Sequence, residues 1–221
     1  MKQQHHSKRL SSNSPFLVGS IYNPLKTKVR RTKPVYHSVI IDYPSRLNAM
    51  ALDPSKIAPN KDFRYSAGEI VFSTNLFQRV YVRFKNTPDI SISKYSKRPA
   101  LILHAALLMK KTLNFKEGLI INVKNKEELP HCGLGSSSGL IAAVASAINE
   151  LCGNPIPKGD FIRFLAQNHG EEINNNSHKL NPVQCLGGSA AAGIHGGGII
   201  VLSGSSTPVA TLNLSPQYKI I

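Results

Sequence analysis

Apolar positions from residue 36 onward fall into short runs bounded by Pro, Gly, Asn or Asp, a pattern typical of β-strands. β-Branched residues are frequent in these runs, as in the segment GLIINV at residues 118–123. The pattern predicts the strands of a mainly antiparallel sheet at residues 37–42, 45–52, 69–74, 79–84 and 118–123.

Longer apolar stretches between and after these strands predict helices. Residues 99–113 are rich in Leu and Ala and end in two lysines, cations that suit a helix C-terminus. Small residues over 138–151 predict a second helix, and Asp160 is placed to cap a third that extends to about residue 173. A glycine-rich strand over 195–203 completes the prediction of an α+β domain whose helices cover one side of the sheet.

The most informative segment lies just before the second predicted helix and reads PHCGLGSSSG over residues 130–139. Glycines allow a backbone to approach a ligand closely, and the unpaired N–H groups and dipole of a helix N-terminus attract an anion. Three consecutive serines add hydroxyls that can donate to phosphate oxygens or coordinate Mg²⁺. The segment therefore predicts a phosphate-binding loop.

Two familiar phosphate-binding motifs do not fit this loop. A P-loop ends in Gly-Lys-Ser/Thr, and a dinucleotide fingerprint would need its third glycine at Ser138. A helix-initiating turn without a ligand remains the alternative. Pro130, the serine triplet and the small-residue helix favour ligand binding over that alternative.

Charge is spread unevenly along the 221 residues. Eight Lys and Arg and no acid fall in residues 1–41, which leaves 19 bases and 12 acids, or +7 of the total +15, for the rest. Few apolar side chains occur in residues 1–34, which predicts a disordered basic tail ahead of one domain at 35–221. A nucleic-acid-binding arm is the alternative, but regular aromatic interleaving is missing, so the composition does not favour a nucleic-acid partner.

Cysteine usage and hydropathy bear on the compartment. The three cysteines Cys132, Cys152 and Cys185 are widely spaced and form no C-x-x-C pair, which argues against a disulfide framework and a zinc site. No segment has the length and apolar character of a signal peptide or a membrane span. We therefore expect a cytoplasmic protein without a membrane partner.

The loop PHCGLGSSSG resembles the phosphate loop of the GHMP kinase superfamily, P-x-x-x-G-L-G-S-S-A/S. Other resemblances follow in that family's order: YPSRLN at 43–48 with its N-terminal strand, AQNHGE at 166–171 with its A-x-x-x-x-E helix, and the glycines from 187 to 198 with its glycine-rich strand. The resemblance covers about residues 36–204. It implies the family's N-terminal ATP-binding domain, with a fold like domain 2 of ribosomal protein S5.

The resemblance also implies ATP and Mg²⁺ as cofactors and a small-molecule substrate. Mg²⁺ would be held by Ser137 and Glu171, and Arg46 would orient an anionic substrate in catalysis. A solvated charge at Glu171 and an ordinary polar strand residue at Arg46 are the alternatives. His131 is a further titratable group beside the loop. The ATP phosphates would lie against Pro130, Gly133, Leu134, Gly135, Ser136, Ser137 and Ser138.

The sequence departs from the family's pattern in two ways. Pro182 stands where kinases of the family place a catalytic Asp, and no acid follows Glu172, so we expect Asn181 to substitute as a hydrogen-bonding catalytic group. A structural role for Asn181 is the alternative. The family's C-terminal half is not recognisable before Ile221, which predicts a fragment, a homodimer or separate second half, or a loss of catalysis.

A second branch of the superfamily is also similar to this sequence. The residues PSRL at 44–47 and HGGGIIV at 195–201 resemble archaeal β-ribofuranosylaminobenzene 5′-phosphate synthases, which act on a phosphoribosyl diphosphate. The preferred hypothesis is an ATP-dependent small-molecule kinase, and the synthase-like reaction is the second. A non-catalytic nucleotide-binding protein or a basic nucleic-acid-binding protein is the third.

Overall fold

The fold is mixed α+β, with a six-stranded sheet, a three-stranded sheet and four helices among the residues described. These come from a computed structural model and cover residues 14–27, 29, 32–52, 68–125, 133–174, 176–183, 185–213 and 215. The strands are β1 (Phe16–Leu17), β2 (Ser38–Leu52), β3 (Gly68–Lys85), β4 (Ile90–Ile92), β5 (Gly118–Lys124), β6 (Gly170–Ile173), β7 (Asn176–Pro182), β8 (Ile199–Leu202) and β9 (Pro208–Leu212). The helices are α1 (Pro99–Leu113), α2 (Ser136–Leu151), α3 (Lys158–Gln167) and α4 (Gly188–His195).

The large sheet is built around the long strand β3. One side of β3 pairs with β2, and the other pairs with β5 near its end and with β8 near its start. All pairs of this sheet are antiparallel except β4 with β5. The four short strands predicted before residue 85 are therefore two long ones. Pro44 does not interrupt β2, because that strand has a register shift between Pro44 and Arg46 and pairs on one side only.

One face of the large sheet is covered by helices and the other is open, as the sequence predicts. Helices α1 and α2 pack against each other, and α2 lies on β2 and β3. On β2 the alternation is direct, since Val39 is buried while the side chain of Ile40 is 62% exposed. The core lies between this face and the helices. It includes Val80, Val82, Leu119 and Ile121 from the sheet and Leu101, Ile102 and Leu108 from α1.

The N-terminal segment corrects the prediction of disorder over residues 1–34. Phe16 is buried at 5% exposure, and β1 pairs with β7 as the third strand of the small sheet, in the order β1-β7-β6. The Phe16 ring makes edge-on contacts with the rings of Tyr22 and His104. Apolar residues are few before residue 34, but Phe16 is buried because it packs against residues that are distant in sequence, such as His104. Residues 1–13 lie outside the described part.

Residues 160–173 correct a second prediction, because the expected helix ends at Gln167 and the chain continues as strand β6. The Asn168 side chain donates to the carbonyl of Phe164 and accepts from the N–H of Tyr22, so it closes the helix and ties it to the N-terminal segment. Asp160 was expected to be the N-cap of this helix. The N-cap residue of α3 is instead Pro157, and Asp160 lies in the first turn of the helix.

A third correction concerns residues 188–203, where a glycine-rich strand was expected from residue 195. Helix α4 occupies Gly188–His195, between left-handed Gly187 and Gly196, and the strand begins only at Ile199. The run of alanines in α4 favours a helix, and the glycines mark its two ends. Within the described ranges, no helix is long and apolar enough to cross a membrane.

Candidate functional site

The predicted phosphate loop enters α2 through two glycines in the left-handed region. Gly133 has φ 82° and Gly135, the N-cap residue of α2, has φ 66°. A Cβ atom on Gly135 would lie 2.4 Å from Ser189 Oγ and 3.0 Å from Arg46 Nε. Glycine is therefore required at position 135 both by the backbone conformation and by the lack of space. Pro130 and His131 lie outside the described residues.

The backbone N–H groups of this loop have no acceptor in the part of the chain that the structure describes. None of the N–H groups of residues 133–138 donates to another described group, whereas the carbonyls of Gly133, Leu134 and Gly135 accept hydrogen bonds from Arg46, Ser138 or Gly139. The carbonyls are thus satisfied by the protein while the N–H groups at the start of a 16-residue helix remain available. That arrangement suits an anion.

Arg46 lies directly against the loop. Its N–H donates to the Leu134 carbonyl at 3.3 Å, and its Nη1 donates to the Gly133 carbonyl at 3.0 Å. Arg46 Nε is buried and has no hydrogen-bond partner among the described residues. The structure therefore brings this predicted residue to the loop with one donor still unused.

The N-termini of α2 and α4 meet at this point, but only one of them is occupied. Ser138 Oγ in the first turn of α2 lies 2.7 Å from Ser189 Oγ in the first turn of α4. At α4, the Glu69 carboxylate accepts a hydrogen bond from the Gly188 N–H, and a Cβ on Gly188 would lie 2.2 Å from Glu69 Oε1. The Glu69 carboxylate therefore occupies the N-terminus of α4, whereas no carboxylate of the described residues bonds to the N-terminal N–H groups of α2.

Glu69 is a buried carboxylate that sequence reasoning did not identify. It is 6% exposed, and its Oε2 accepts from Asn48 Nδ2 at 3.2 Å. Burial raises the pKa of the Glu69 carboxyl, while the nearby charge of Arg46 and the Gly188 N–H oppose that rise. An acid at the start of a β-branched run, GEIVF, is the only signal in the sequence, and it is equally typical of a solvated strand end.

These groups line one open cleft of about 380 Å³. Most of the side chains that line it are polar or charged, and Val183 and Leu186 are apolar. The lining consists of Arg46, Asn48, Glu69, residues 133–138, His169, Glu171, Val183, Cys185 and Leu186. The cleft thus contains the predicted residues Arg46, Gly133, Leu134, Gly135, Ser136, Ser137, Ser138 and Glu171.

Glu171 and Asn181 lie opposite each other on adjacent strands, but they differ in their relation to the cleft. They form a register pair between β6 and β7, and Glu171 lines the cleft. Asn181 is exposed and does not belong to the lining. Glu171 is carried by a strand and not by the helix that the A-x-x-x-x-E resemblance implies.

Ser136 and Ser137 are bonded to an arginine that lies just before α1. Arg98 Nη1 donates to Ser136 Oγ at 3.1 Å, Nη2 donates to Ser137 Oγ at 2.6 Å, and Nε donates to Glu172 Oε2 at 2.7 Å. A guanidinium therefore already contacts the oxygen that was predicted to hold Mg²⁺. Ser137 does not fit as a magnesium ligand in this arrangement, because the Arg98 guanidinium stands beside its oxygen. Among the described residues, no group of three His, Cys, Asp or Glu could hold a metal ion.

His169 is the second buried titratable group in the cleft. It is 7% exposed, and its Nδ1 is buried without a hydrogen-bond partner among the described residues. Burial lowers the pKa of His169 to about 3, and the charges of His104, Arg98 and Arg46 act in the same direction. A neutral imidazole with an unused nitrogen in a cleft of cations is a second indication, independent of the helix N-terminus, that a ligand belongs here.

A smaller cleft of about 280 Å³ lies near α2 and the end of β5. Leu140, in the first turns of α2, forms part of its wall. Two lysines and an exposed aromatic ring give it a basic, partly apolar character. Its lining consists of Tyr95, Lys97, Asn122, Val123, Lys124, Asn125 and Leu140.

A family model described as the GHMP kinases N terminal domain matches residues 100–189. The match begins at α1 and ends at Ser189, so it contains the loop, α2 and both strands β6 and β7. Among curated protein sequences, none matches this chain.

Solved structures of GHMP kinases have the same fold. A D-glycero-D-manno-heptose 1-phosphate kinase from Bacteroides thetaiotaomicron is similar with a TM-score of 0.55 and 18% identity, covering 74% of this chain and 55% of that one. The mevalonate kinase of L. major, in complex with R-mevalonate, gives a TM-score of 0.51 and 15% identity, with 77% and 51% covered. The Methanococcus jannaschii mevalonate kinase gives 0.50 and 13%, with 83% and 58% covered. The chain spans about half the length of these structures.

Proposed function

We propose that the chain is a GHMP-type kinase that binds ATP at the 133–138 loop for phosphoryl transfer to a small hydroxyl or phosphate acceptor, a proposal supported by the match of residues 100–189 to the GHMP kinases N terminal domain. The observation that carries this proposal is the row of unused N–H groups at the start of α2, next to Arg46. Phosphoryl transfer depends mainly on positioning and on electrostatic stabilisation of the phosphate charge. The dipole of α2, the N–H groups of the loop and the Arg46 guanidinium can position the phosphates and stabilise their charge.

Both clefts are lined by residues of α2, and we propose that one nucleotide occupies the two together. The phosphates would occupy the larger cleft, against the loop N–H groups. The nucleoside would reach the smaller cleft, where Tyr95 and Asn122 offer an aromatic face and an amide. Leu140 of α2 lines the smaller cleft, and Ser136–Ser138 at the start of the same helix line the larger one.

The acceptor would bind in the larger cleft beside Arg46, Asn48 and Glu69. Arg46 Nε and Asn48 Oδ1 are buried polar atoms without partners among the described residues, and the Asn48 Nδ2 group donates to Glu69 Oε2. A hydroxyl group would satisfy both, because it accepts from Arg46 Nε and donates to Asn48 Oδ1. Glu69 is the cleft carboxylate nearest to these atoms in the hydrogen-bond network, so it is better placed than Asn181 to contact an acceptor hydroxyl.

Magnesium is proposed only as a companion of the nucleotide. It would neutralise phosphate charge when bound, and Glu171 is the described cleft carboxylate without a hydrogen-bond partner that could face it. This role does not use Ser137, whose oxygen contacts Arg98.

The synthase-like reaction remains the second candidate. It is favoured by the same free N–H groups, which suit any polyphosphate, and by the absence of an acid after Glu172 in the sequence. It predicts a preference for phosphoribosyl diphosphate over ATP, so a direct comparison of these two ligands separates the two hypotheses.

Two further features of the whole protein are proposals. Cys152 and Cys185 are free thiols among the described residues, as a reducing compartment favours, and we propose a cytoplasmic location. A second protein half or a second copy of the chain would complete the acceptor site, since this chain covers only about half of each structure described above.

The first test is ligand-induced thermal stabilisation of the wild-type chain by ATP. Binding to the folded state alone stabilises by about 2.7 kcal/mol at a ligand concentration one hundred times Kd. Arg46→Gln should weaken ATP binding about tenfold, the loss expected for one charge-assisted hydrogen bond. Arg163→Gln, which changes an arginine of α3 outside the cleft, is the matched control and should bind as the wild type does.

A wild-type chain that ATP does not stabilise would contradict the kinase proposal. Stabilisation by phosphoribosyl diphosphate alone would favour the synthase-like reaction. If ATP binds, turnover is then measured against a panel of small alcohols and phosphate monoesters.

A further inference from the structure

Arg98 makes an unusual set of contacts beneath the phosphate loop. Each of its three guanidinium nitrogens donates to a different side chain, Ser136, Ser137 or Glu172. Its side chain is only 15% exposed, and the ion pair with Glu172 measures 2.7 Å. These contacts connect the start of α1, the start of α2 and strand β6.

The backbone of Arg98 adds to the evidence that its position is fixed. It has φ 57° and ψ 55°, a left-handed conformation that is uncommon for a residue with a side chain, and it directly precedes Pro99. Such a conformation is maintained only when surrounding contacts determine it. Three anchored nitrogens provide those contacts.

The arginine decides which role the two serine hydroxyls can take. A hydroxyl has one hydrogen to donate, and its oxygen accepts from others. When Arg98 occupies an acceptor position on Ser136 Oγ and on Ser137 Oγ, each O–H is directed away from the guanidinium. Neither O–H donates to another described group, and both serines line the larger cleft.

The same contact opposes metal coordination by Ser137. A divalent cation bound to that oxygen would stand within a few ångströms of a guanidinium 2.6 Å from the same atom. Like charges at that separation repel strongly in a partly buried site. A phosphate group experiences the opposite effect, since both the O–H donors and the nearby positive charge attract it.

We infer that Arg98 is a positioning residue that holds Ser136 and Ser137 as hydrogen-bond donors to phosphate, so that the loop binds polyphosphate without a metal ligand from Ser137. This inference rests on the proposed function of the loop. It assigns to a protein cation the place beside Ser137 that the family resemblance gives to magnesium.

The experiment measures the affinity of the full chain for inorganic tripolyphosphate, once with EDTA and once with excess Mg²⁺. The wild type should bind in EDTA. Arg98→Met should lose about ten- to hundredfold in affinity under both conditions, the range expected when charge-assisted hydrogen bonds are removed. Arg98→Lys keeps the charge but cannot make all three hydrogen bonds, so it should recover only part of the lost affinity. Ser137→Ala should lose the same factor with and without Mg²⁺.

Controls separate this inference from misfolding and from failure of the proposed function. Arg79→Met removes an exposed arginine that pairs with Asp42, and it should leave binding unchanged. The circular dichroism spectrum and melting temperature of each variant show whether it folds, and Glu172→Gln tests the anchor of Arg98 while leaving the arginine in place.

Two results would overturn the inference alone. One is wild-type affinity in folded Arg98→Met and in Glu172→Gln, and the other is a loss in Ser137→Ala that occurs only with Mg²⁺, as for a metal ligand. If the wild type binds tripolyphosphate in neither condition, the proposed function of the loop fails, and the role of Arg98 fails with it.

Discussion

Gly135 lies where the loop turns into α2, and its surroundings explain why the loop has its shape. Its left-handed backbone directs the following N–H groups toward the cleft, and its own carbonyl accepts from Gly139 N and from Ser138 Oγ. The Ser189 side chain and Arg46 fill the space where a Cβ would stand. Because Gly135 has no Cβ, the start of α2 can pack directly against Ser189 of α4 and Arg46 of β2.

Gly135→Ala should destabilise the protein and remove polyphosphate binding. The left-handed conformation costs about 1 to 2 kcal/mol for a residue with a Cβ, and the 2.4 Å approach to Ser189 Oγ adds a displacement of the loop. Gly133→Ala is the matched control, because Gly133 has φ 82° but no atom within 4 Å of the new Cβ. Melting temperature and ATP affinity of both variants test this, and equal losses in the two would contradict the steric argument.

At the scale of elements, the N-terminal segment connects parts of the fold that are distant in sequence. The Gly19 N–H donates to His104 Nδ1 on α1, and the Val35 N–H donates to the carbonyl of Leu151 at the end of α2. Lys111 Nζ also donates to the Gly19 carbonyl. The segment thus crosses both long helices before it enters β2.

Phe16→Ala should lower the free energy of unfolding by about 3 to 5 kcal/mol, the usual cost of truncating a buried phenylalanine. Leu17→Ala is the control, since the adjacent Leu17 is 60% exposed and its truncation should cost about 0.5 kcal/mol or less. Urea unfolding measures both. A small effect for Phe16→Ala would show that β1 is not part of the cooperative fold.

At the scale of the whole molecule, the sequence predicts the core better than it predicts the site. Alternation and apolar runs identify β2, β3, β5, α1 and α2, because local burial patterns determine those elements. The strand β6 could not be predicted, since residues 166–171 look helical and only pairing with β7 makes them extended. Glycines at 133 and 135 reveal the loop, but Arg98, Glu69 and His169 reach it through nonlocal contacts that no spacing encodes.

Acid should destabilise the whole molecule because its buried histidines are neutral. The folded pKa of His169 is about 3, below the ordinary value of 6.5, so the folded state excludes a proton that the unfolded chain binds. The resulting stability is fully present above about pH 6.5 and is lost as pH falls toward 3. Burial also lowers the pKa of His104, whose Nδ1 must stay unprotonated to accept from Gly19.

His169→Gln should therefore flatten the decline of the free energy of unfolding between pH 6.5 and pH 4. His178→Gln, which changes an exposed histidine of β7, should leave the slope as in the wild type. Denaturant titrations at several pH values provide the comparison. An unchanged slope in His169→Gln would mean that this imidazole is not the group that resists protonation.

The pairing of β1 with β7 also constrains the order in which a nascent polypeptide can mature. Tyr22 and Asn168 are hydrogen-bonded across 146 positions, so the small sheet must wait until the ribosome has released nearly all of the residues between them. Until then the Phe16 ring cannot be buried in its native position, so the segment that is synthesised first is among the last to reach its folded structure.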